Sequence, residues 1–161
     1  MKLALSLILV AACHPADVPS WAPDAGACEA YVVPLGTNLM APAVSYATDV
    51  FPALKAGNCM SASCHGIHDG AQGGLYLGSS AADMYTNLVG PMAGELSTMP
   101  LVMAGHPEES YLMHKLDSDQ CTLAMQCVNG NCESAMPLNN PLAAAARDTV
   151  RRWIAQGAQN N

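Results

Sequence analysis

The sequence has few basic residues, few aromatic rings and only one apolar run of any length, and each shortage excludes a class of protein. Six Lys and Arg against thirteen Asp and Glu give a formal charge of −7. Because a nucleic-acid protein needs a basic face to neutralise phosphates, nucleic acid is excluded as a partner. Two Trp, five Tyr and one Phe in 161 residues do not make a ring-rich core, although apolar residues reach 51%. The length indicates one domain plus tails.

Sulfur and imidazole side chains, by contrast, are abundant. The chain contains seven Cys, five His and ten Met. Soft and borderline ligands in such numbers indicate disulfides, a metal or a cofactor. Since no paired carboxylates and no nucleophile–base pair form a recognisable catalytic motif, we expect no enzyme and look for the function among these residues.

The first thirteen residues are typical of an export signal. Lys2 precedes an apolar run, Leu3 to Val10, that is too short to span a bilayer as a permanent helix. The run ends in Ala11-Ala12-Cys13, which resembles a bacterial lipobox, in which the cysteine becomes the lipidated first residue. We therefore predict a signal peptide over residues 1–12 and lipid attachment at Cys13. The alternative is an ordinary signal peptide cut nearby, with this cysteine free or removed.

Export predicts the location of the chain and the roles of its remaining segments. We expect a lipid-anchored protein on the periplasmic or cell-surface face of a bacterial membrane, where disulfides form. Residues 13–43 contain five prolines and no sustained periodicity, which predicts a lipidated, Pro-rich tether. Residues 44–161 are predicted to form the folded domain.

Apolar periodicity and capping residues predict four helices in this domain. The first begins at Thr48 or Asp49, because Pro52 is tolerated only in a first turn, and it ends at Gly57. The others are predicted over Ser80 to Val89, Pro107 to Leu116 and about Ala143 to Gln156. No segment alternates for long enough to require a sheet, so the predicted fold class is all-α with long loops.

The motif that carries chemistry lies between the first two helices, where Cys59 and Cys64 are followed at once by His65. Two cysteines with an adjacent histidine are the arrangement for covalent haem attachment. Each thiol adds to one haem vinyl group, and the imidazole reaches the iron from the same side. The usual gap between the cysteines is two residues and here it is four, which leaves the number of thioether bonds open. The alternative is a structural Cys59–Cys64 disulfide.

Further motifs follow this one along the chain. They are Gly73-Gly74-Leu75, Gly105-His106-Pro107-Glu108-Glu109-Ser110, Met136-Pro137 and Arg152-Trp153-Ile154-Ala155-Gln156-Gly157-Ala158. Their order over roughly residues 48–158 resembles the class I cytochrome c superfamily, most closely the planctomycete-type cytochrome c domains of exported bacterial lipoproteins. The resemblance implies a small monohaem fold of about four helices with long loops, wrapped around one covalently attached haem c.

The resemblance also implies roles for individual residues. Cys59 and Cys64 hold the haem, His65 is the proximal iron ligand and Met136 the distal one. The Met-Pro-Leu sequence at Met136 recurs at Met99, which is therefore the second candidate for the distal ligand. Met136 is preferred because it directly precedes the last helix, where the chain must fold back over the haem.

Two structural expectations accompany this resemblance. The first helix should cross the last, with Phe51 meeting Trp153 or Ile154. Ala143 occupies a position where such domains usually carry a Ser or Thr that caps the last helix. Without that cap the helix should lose about 1 kcal/mol of stability at most, unless Asn140 caps it instead.

Four further cysteines are candidates for disulfides. They are Cys28, Cys121, Cys127 and Cys132, and the sequence does not choose among their three pairings. Residues 128–131, Val-Asn-Gly-Asn, form a turn sequence that could close a tight Cys127–Cys132 bridge. The rival interpretation is a zinc site of four thiolates, which an oxidising compartment disfavours.

The leading hypothesis is a membrane-tethered monohaem c-type cytochrome that carries one electron and does no substrate chemistry. With His and Met ligands both axial positions are filled, which is typical of electron transfer. The acidic chain predicts a redox partner protein with a basic docking face. One alternative is a small haem peroxidase or gas-binding sensor with an open distal site. The other is a haem-free, disulfide-stapled surface lipoprotein that binds a protein partner.

Overall fold

The computed structural model describes residues 31–69, 71–138 and 140–161. Within these ranges the chain forms four α-helices joined by long loops. They are α1 (Phe51–Ala56), α2 (Ala81–Leu88), α3 (Tyr111–Asp117) and α4 (Ala144–Ala155). The loops contain short 3-10 turns at Gln72–Gly74, Pro107–Glu109, Gln120–Gln126 and Val128–Gly130. Extended pairing in the described ranges is limited to two isolated bridges, so the predicted all-α class is confirmed there.

The first helical segment begins earlier than predicted. Ser45 caps it: the Ser45 hydroxyl accepts the Thr48 N–H at 3.4 Å, and the Asp49 carboxylate accepts the Ser45 N–H at 2.8 Å. A π-helical turn, Tyr46–Val50, then leads into α1, whose first turn contains Pro52. The predicted start at Thr48 or Asp49 falls inside the π-turn. Pro52 indicates only that a helix begins within about one turn of it, and it does not identify the residue that caps the helix.

The other helices begin close to their predicted capping residues. Ser80 and Asp83 form a reciprocal capping box at α2, with both side chain to backbone distances at 3.1 Å. At the start of α4, Ala143 provides no side-chain cap, as the sequence predicted. The third predicted helix is divided, because Pro107–Glu109 forms a 3-10 turn before α3 begins.

The main core, which we call the helical cluster, gathers buried residues from the π-turn and all four helices. Its members include Tyr46, Val50, Leu54, Leu77, Leu88, Leu116, Trp153 and Ile154. The rings of Tyr46 and Trp153 lie 5.3 Å apart, and the edge of Tyr85 meets Tyr46 at 5.2 Å. Phe51 is half-buried and its ring pairs with Tyr46 at 6.4 Å. The first helical segment thus packs on α4 through the Tyr46–Trp153 ring pair, and Phe51 packs against the cluster that contains Trp153 and Ile154.

A second, smaller buried group, which we call the loop cluster, lies among the loops. It consists of Ala93, Leu96, Leu101, Tyr111, Cys127 and Cys132. The structure selects among the pairings that the sequence left open: Cys127 and Cys132 form a disulfide across the Val128–Gly130 turn. Cys121 is also disulfide-bonded. Because these sulfurs are engaged in disulfides, the rival zinc site of four thiolates is wrong.

The segment 31–43, assigned to the tether, packs in part against α4. The Tyr31 hydroxyl donates to the Asp148 carboxylate at 2.9 Å, and the Arg147 guanidinium lies 4.0 Å from the centre of the Tyr31 ring. The Gln156 amide donates to two carbonyls of the segment, at 2.9 and 3.1 Å. This part of the tether is therefore joined to the last helix of the domain.

Three predictions fall on residues outside the described ranges. They are the signal peptide over residues 1–12, the lipid on Cys13 and the pairing of Cys28, and all three stay predictions. Among the helices that the structure describes, none has the length and apolar character needed to cross a membrane.

Candidate functional site

The segment that carries Cys59, Cys64 and His65 is a tight loop closed by its own backbone hydrogen bonds. The His65 N–H donates to the Cys59 carbonyl at 3.2 Å, and the Cys64 N–H donates to the Ser61 carbonyl at 3.0 Å. The two residues after Ser61 are exposed. The four-residue gap therefore bulges toward solvent, while the two cysteines stay on the same loop.

Gly66 is required at the end of this loop for a steric reason. A Cβ atom at position 66 would overlap the Met60 carbonyl oxygen and lie 2.8 Å from the carbonyl carbon. Since that neighbour is backbone, it cannot move aside as a flexible side chain would. The Gly66 N–H also donates to the Ser61 carbonyl at 2.9 Å, which closes the loop.

His65 is buried, and a single hydrogen bond orients its ring. Its Nδ1 lies 2.9 Å from the Leu75 carbonyl oxygen. Because a carbonyl only accepts, Nδ1 carries the proton and Nε2 keeps a free lone pair. Metal-ligating histidines typically donate their other N–H in this way, which fixes the ring and raises its basicity. The Leu77 N–H donates to the His65 carbonyl at 2.8 Å and holds the backbone as well.

His65 lines a cavity with two adjoining lobes. The outer lobe has a volume of about 700 Å³ and the inner lobe about 80 Å³. The wall of the inner lobe is mainly apolar and includes Leu54, Leu77, Leu88, Leu101 and Leu112. Cys59 and Met136 line both lobes together with His65, and Cys64 lines the outer lobe. The structure thus brings the four haem-binding residues proposed from the sequence onto one cavity.

Cys59 and Cys64 are both free thiols, and both are half-buried. The alternative of a Cys59–Cys64 disulfide is therefore not what the chain forms. Burial raises the pKa of the Cys59 thiol to about 11, so this group is protonated at neutral pH.

The spacing of the donor atoms argues against direct binding of one metal ion by this loop. In the described ranges, one group of three or more His, Cys, Asp or Glu donors has its atoms within 4.8 Å of one another, namely His106, Glu108 and Glu109. The ligand atoms of Cys59, Cys64 and His65 do not form such a group, so at least one pair of them lies more than 4.8 Å apart. A tetrahedral zinc site needs metal–ligand bonds of 2.0–2.3 Å, which holds its donors closer together. A larger cofactor can meet all three residues.

The two methionines with the same local sequence lie on different cavities. Met136 lines the cavity of His65, and its N–H donates to the Lys115 carbonyl at 2.8 Å. Met99 lines a separate surface cavity of about 650 Å³ together with Val102 and Met103. This placement favours Met136 over Met99 as a ligand to anything that His65 binds.

The other histidines of the described ranges do not line the cavity of His65. His68, His106 and His114 each lie beside a carboxylate, at 3.3, 3.4 and 2.8 Å respectively. For His114 the hydrogen bond to that carboxylate, on Asp119, raises the pKa of the imidazole. These histidines therefore make local contacts with carboxylates outside the cavity of His65.

An ion pair in the wall of the inner lobe was not foreseen from the sequence. Lys115 Nζ lies 2.7 Å from Glu95 Oε2, and the same oxygen accepts the Tyr111 hydroxyl at 2.6 Å. Burial and then the hydrogen bond to Glu95 raise the pKa of Tyr111 well above its usual value. These partners are 16 and 20 residues apart, and no periodic pattern links them. Local sequence contains no signal for such a pairing.

The residues on the cavity fit a covalently attached haem. They offer one imidazole with a free Nε2, one thioether and two free thiols, beside an inner lobe lined by leucines. Comparisons of this chain with models of protein families, with curated proteins and with solved structures found no match. The chemistry of the site therefore has to be inferred from its own residues and their geometry.

Proposed function

We propose that this chain is an exported, lipid-anchored monohaem c-type cytochrome that carries one electron. The observation that carries the proposal is the orientation of His65. Its Nδ1–H is engaged by the Leu75 carbonyl, and its Nε2 is left for a metal in a cavity shared with Met136 and two free thiols. Haem c supplies a one-electron Fe(III)/Fe(II) couple when it is bound.

Cys59 and Cys64 are the residues that would attach the haem. Each thiol would add its sulfur and its hydrogen across one vinyl group, which forms a C–S bond and requires no oxidant. Two observations support this role: both thiols are free, and both line the outer lobe. The outward bulge of the four-residue gap allows both cysteines to remain beside that lobe.

His65 and Met136 are the residues that would bind the iron of the haem. The Leu75 carbonyl fixes the orientation of the imidazole ring. With an imidazole and a thioether both bound, the iron would have no open position, which favours electron transfer over oxygen activation or catalysis. The leucines of the inner lobe would lower the local dielectric around a bound haem, which would raise the effect of nearby charges on its potential.

The charge of the chain supports a basic redox partner. The formal charge is −7, and the exposed Glu133 lies on the wall of the outer lobe. A partner protein with a basic docking face would be steered toward such a surface. Lipidation at Cys13 would hold this protein on one membrane face, where it would meet such a partner.

The proposal is tested by replacing each of the two candidate methionines with alanine. Met136→Ala should remove the weak sulfur-to-iron charge-transfer band of the oxidised protein, lower the reduction potential and open the site to cyanide or carbon monoxide. Met99→Ala is the matched control, because the same Met-Pro-Leu sequence lies on another cavity. It should leave all three properties unchanged.

Each other outcome would change either the assignment of the ligand or the function. Loss of the band in Met99→Ala alone would reverse the assignment of the ligand. A wild-type protein that binds cyanide or carbon monoxide as tightly as Met136→Ala does would indicate the peroxidase or sensor alternative. A colourless protein, expressed together with a haem-attachment system, would indicate the haem-free lipoprotein.

A further inference from the structure

Lys115 makes contact with both ends of the segment that presents Met136. Its side chain is 9% exposed, and Nζ donates to the Cys132 carbonyl at 2.7 Å and to Glu95 Oε2 at 2.7 Å. Its own backbone carbonyl accepts the Met136 N–H at 2.8 Å. One residue of α3 therefore holds the beginning and the end of residues 132–136.

We propose that Lys115, held by Glu95, is a positioning residue for Met136. Lys115 does not touch a cofactor in this role; it acts by fixing the backbone at Cys132 and at Met136 itself. The inference rests on the proposed function, because it concerns the ligand that Met136 supplies there.

The ammonium group makes the strongest side-chain hydrogen bond to this segment, beside the covalent link at Cys132. Residues 132–136 contain no helix or strand, so other contacts must order them. The Tyr111 hydroxyl lies 3.4 Å from the Cys132 carbonyl, and the Gln120 amide lies 3.3 Å from the Glu133 carbonyl. The Lys115 bond is both shorter and charge-assisted, and such bonds are roughly twice as strong as neutral ones.

Glu95 extends the same contact to the other end of the disulfide loop. Its carbonyl accepts the Val128 N–H at 2.8 Å, one residue after Cys127, while its carboxylate accepts the Lys115 ammonium. The Glu95–Lys115 pair therefore ties both sides of the Cys127–Cys132 turn to one point on the cavity wall. Without the ammonium, the Glu95 carboxylate and the Cys132 carbonyl would lose their charged partner.

The chain provides a matched control for this ion pair. Arg151 and Asp117 also form a buried pair at 2.7 Å, with side chains 9% and 8% exposed. Neither residue lines the cavity of His65. A purely structural role for Lys115 would make the two pairs equivalent, whereas a positioning role affects Met136 only when Lys115 is replaced.

The experiment compares Lys115→Met with Arg151→Met in the haem-loaded protein. Lys115→Met keeps an unbranched chain of similar length and removes the charge and its hydrogen bonds. It should weaken the sulfur-to-iron band and raise the apparent cyanide affinity about tenfold, since cyanide competes with a ligand that is bound for less of the time. Arg151→Met should leave the band and the cyanide affinity unchanged, although both substitutions should lower the midpoint of urea unfolding.

A second variant and a further readout keep the test decisive if Lys115→Met folds poorly. Glu95→Gln keeps the size of the side chain and should shift the band and the cyanide affinity in the same direction, by less. Hydrogen exchange of a peptide covering residues 132–138 should be faster in Lys115→Met than in Arg151→Met. Equal effects of Lys115→Met and Arg151→Met on all three readouts would overturn the positioning role and leave the ligation by Met136 intact. Absence of the band in the wild type would overturn the ligation itself.

Discussion

The helical cluster and the loop cluster meet at the cavity of His65, and different forces hold each of them together. The helical cluster is a continuous apolar core in which Tyr46, Val50, Trp153 and Ile154 are at most 1% exposed. The loop cluster has six members, and its neighbourhood depends on the Cys127–Cys132 disulfide and on the Glu95–Lys115 ion pair. Apolar packing therefore stabilises one side of the cavity, whereas the disulfide and the ion pair stabilise the other side.

This difference separates the two candidate axial ligands. His65 is held through Leu77, a member of the helical cluster, and through the Leu75 carbonyl. Met136 is held through Lys115 and follows the disulfide loop. Changes on the loop side should therefore alter the distal ligand without unfolding the helices, while changes in the helical cluster should affect the whole domain.

The largest expected effect is that of Trp153→Ala in the helical cluster. Removing a fully buried indole should lower the free energy of unfolding by about 3–5 kcal/mol, because a cavity remains where packing contacts were lost. Urea denaturation followed by circular dichroism measures this loss. Met125→Ala, at a side chain 92% exposed, is the control and should stay within about 0.5 kcal/mol of wild type. A smaller loss for Trp153→Ala than for removal of the disulfide would contradict the proposed division.

The next largest effect is expected when the double substitution Cys127→Ser/Cys132→Ser removes the disulfide of the loop cluster. A bridge between cysteines five positions apart stabilises the fold by about 2 kcal/mol through restriction of the unfolded chain. Hydrogen exchange should increase over residues 120–136 and stay slow in α4. Equal loss of protection in α4 would mean that the two clusters do not behave as separate units.

The smallest expected effect is the pH dependence of stability that arises from His114, a residue of α3. Its hydrogen bond to Asp119 raises the imidazole pKa in the folded state. The stability that the protonated ring contributes is complete below its unfolded pKa, about 6.5, and is lost as pH rises through the higher folded value. His114→Gln should therefore cost more at about pH 5.5 than at about pH 8.5, by less than about 1 kcal/mol. In an Asp119→Asn background this difference should disappear; a cost independent of pH in the wild-type background would refute the interpretation.

Local patterns predicted the helices well, because capping is a local interaction. Ser80 and Gly57 mark helix ends in the sequence and in the structure. The π-turn was missed, since Ser45 caps it before the periodic apolar positions begin. The ring contact of Trp153 with Tyr46 carries no sequence signal, since Tyr46 lies before the periodic apolar positions of the first helix.

The candidate site was predictable only where its residues are adjacent in sequence. Cys64 and His65 stand side by side, so their motif is visible without a structure. Met136 and Met99 share the same local sequence, and only the fold separates their cavities. Lys115 is joined to Glu95 across 20 residues, which no periodicity can indicate.

The most direct test of the central claim is whether haem remains bound to the denatured polypeptide. The protein, expressed with a haem-attachment system, is extracted with acid–acetone, and a pyridine haemochrome spectrum is recorded on the precipitate. We expect the haem to stay with the chain, with the spectrum of two thioether bonds, and Cys64→Ser to abolish or severely reduce this attachment. The Cys127→Ser/Cys132→Ser pair is the control and should retain the haem. Complete extraction of the haem from the wild type would contradict covalent attachment at Cys59 and Cys64.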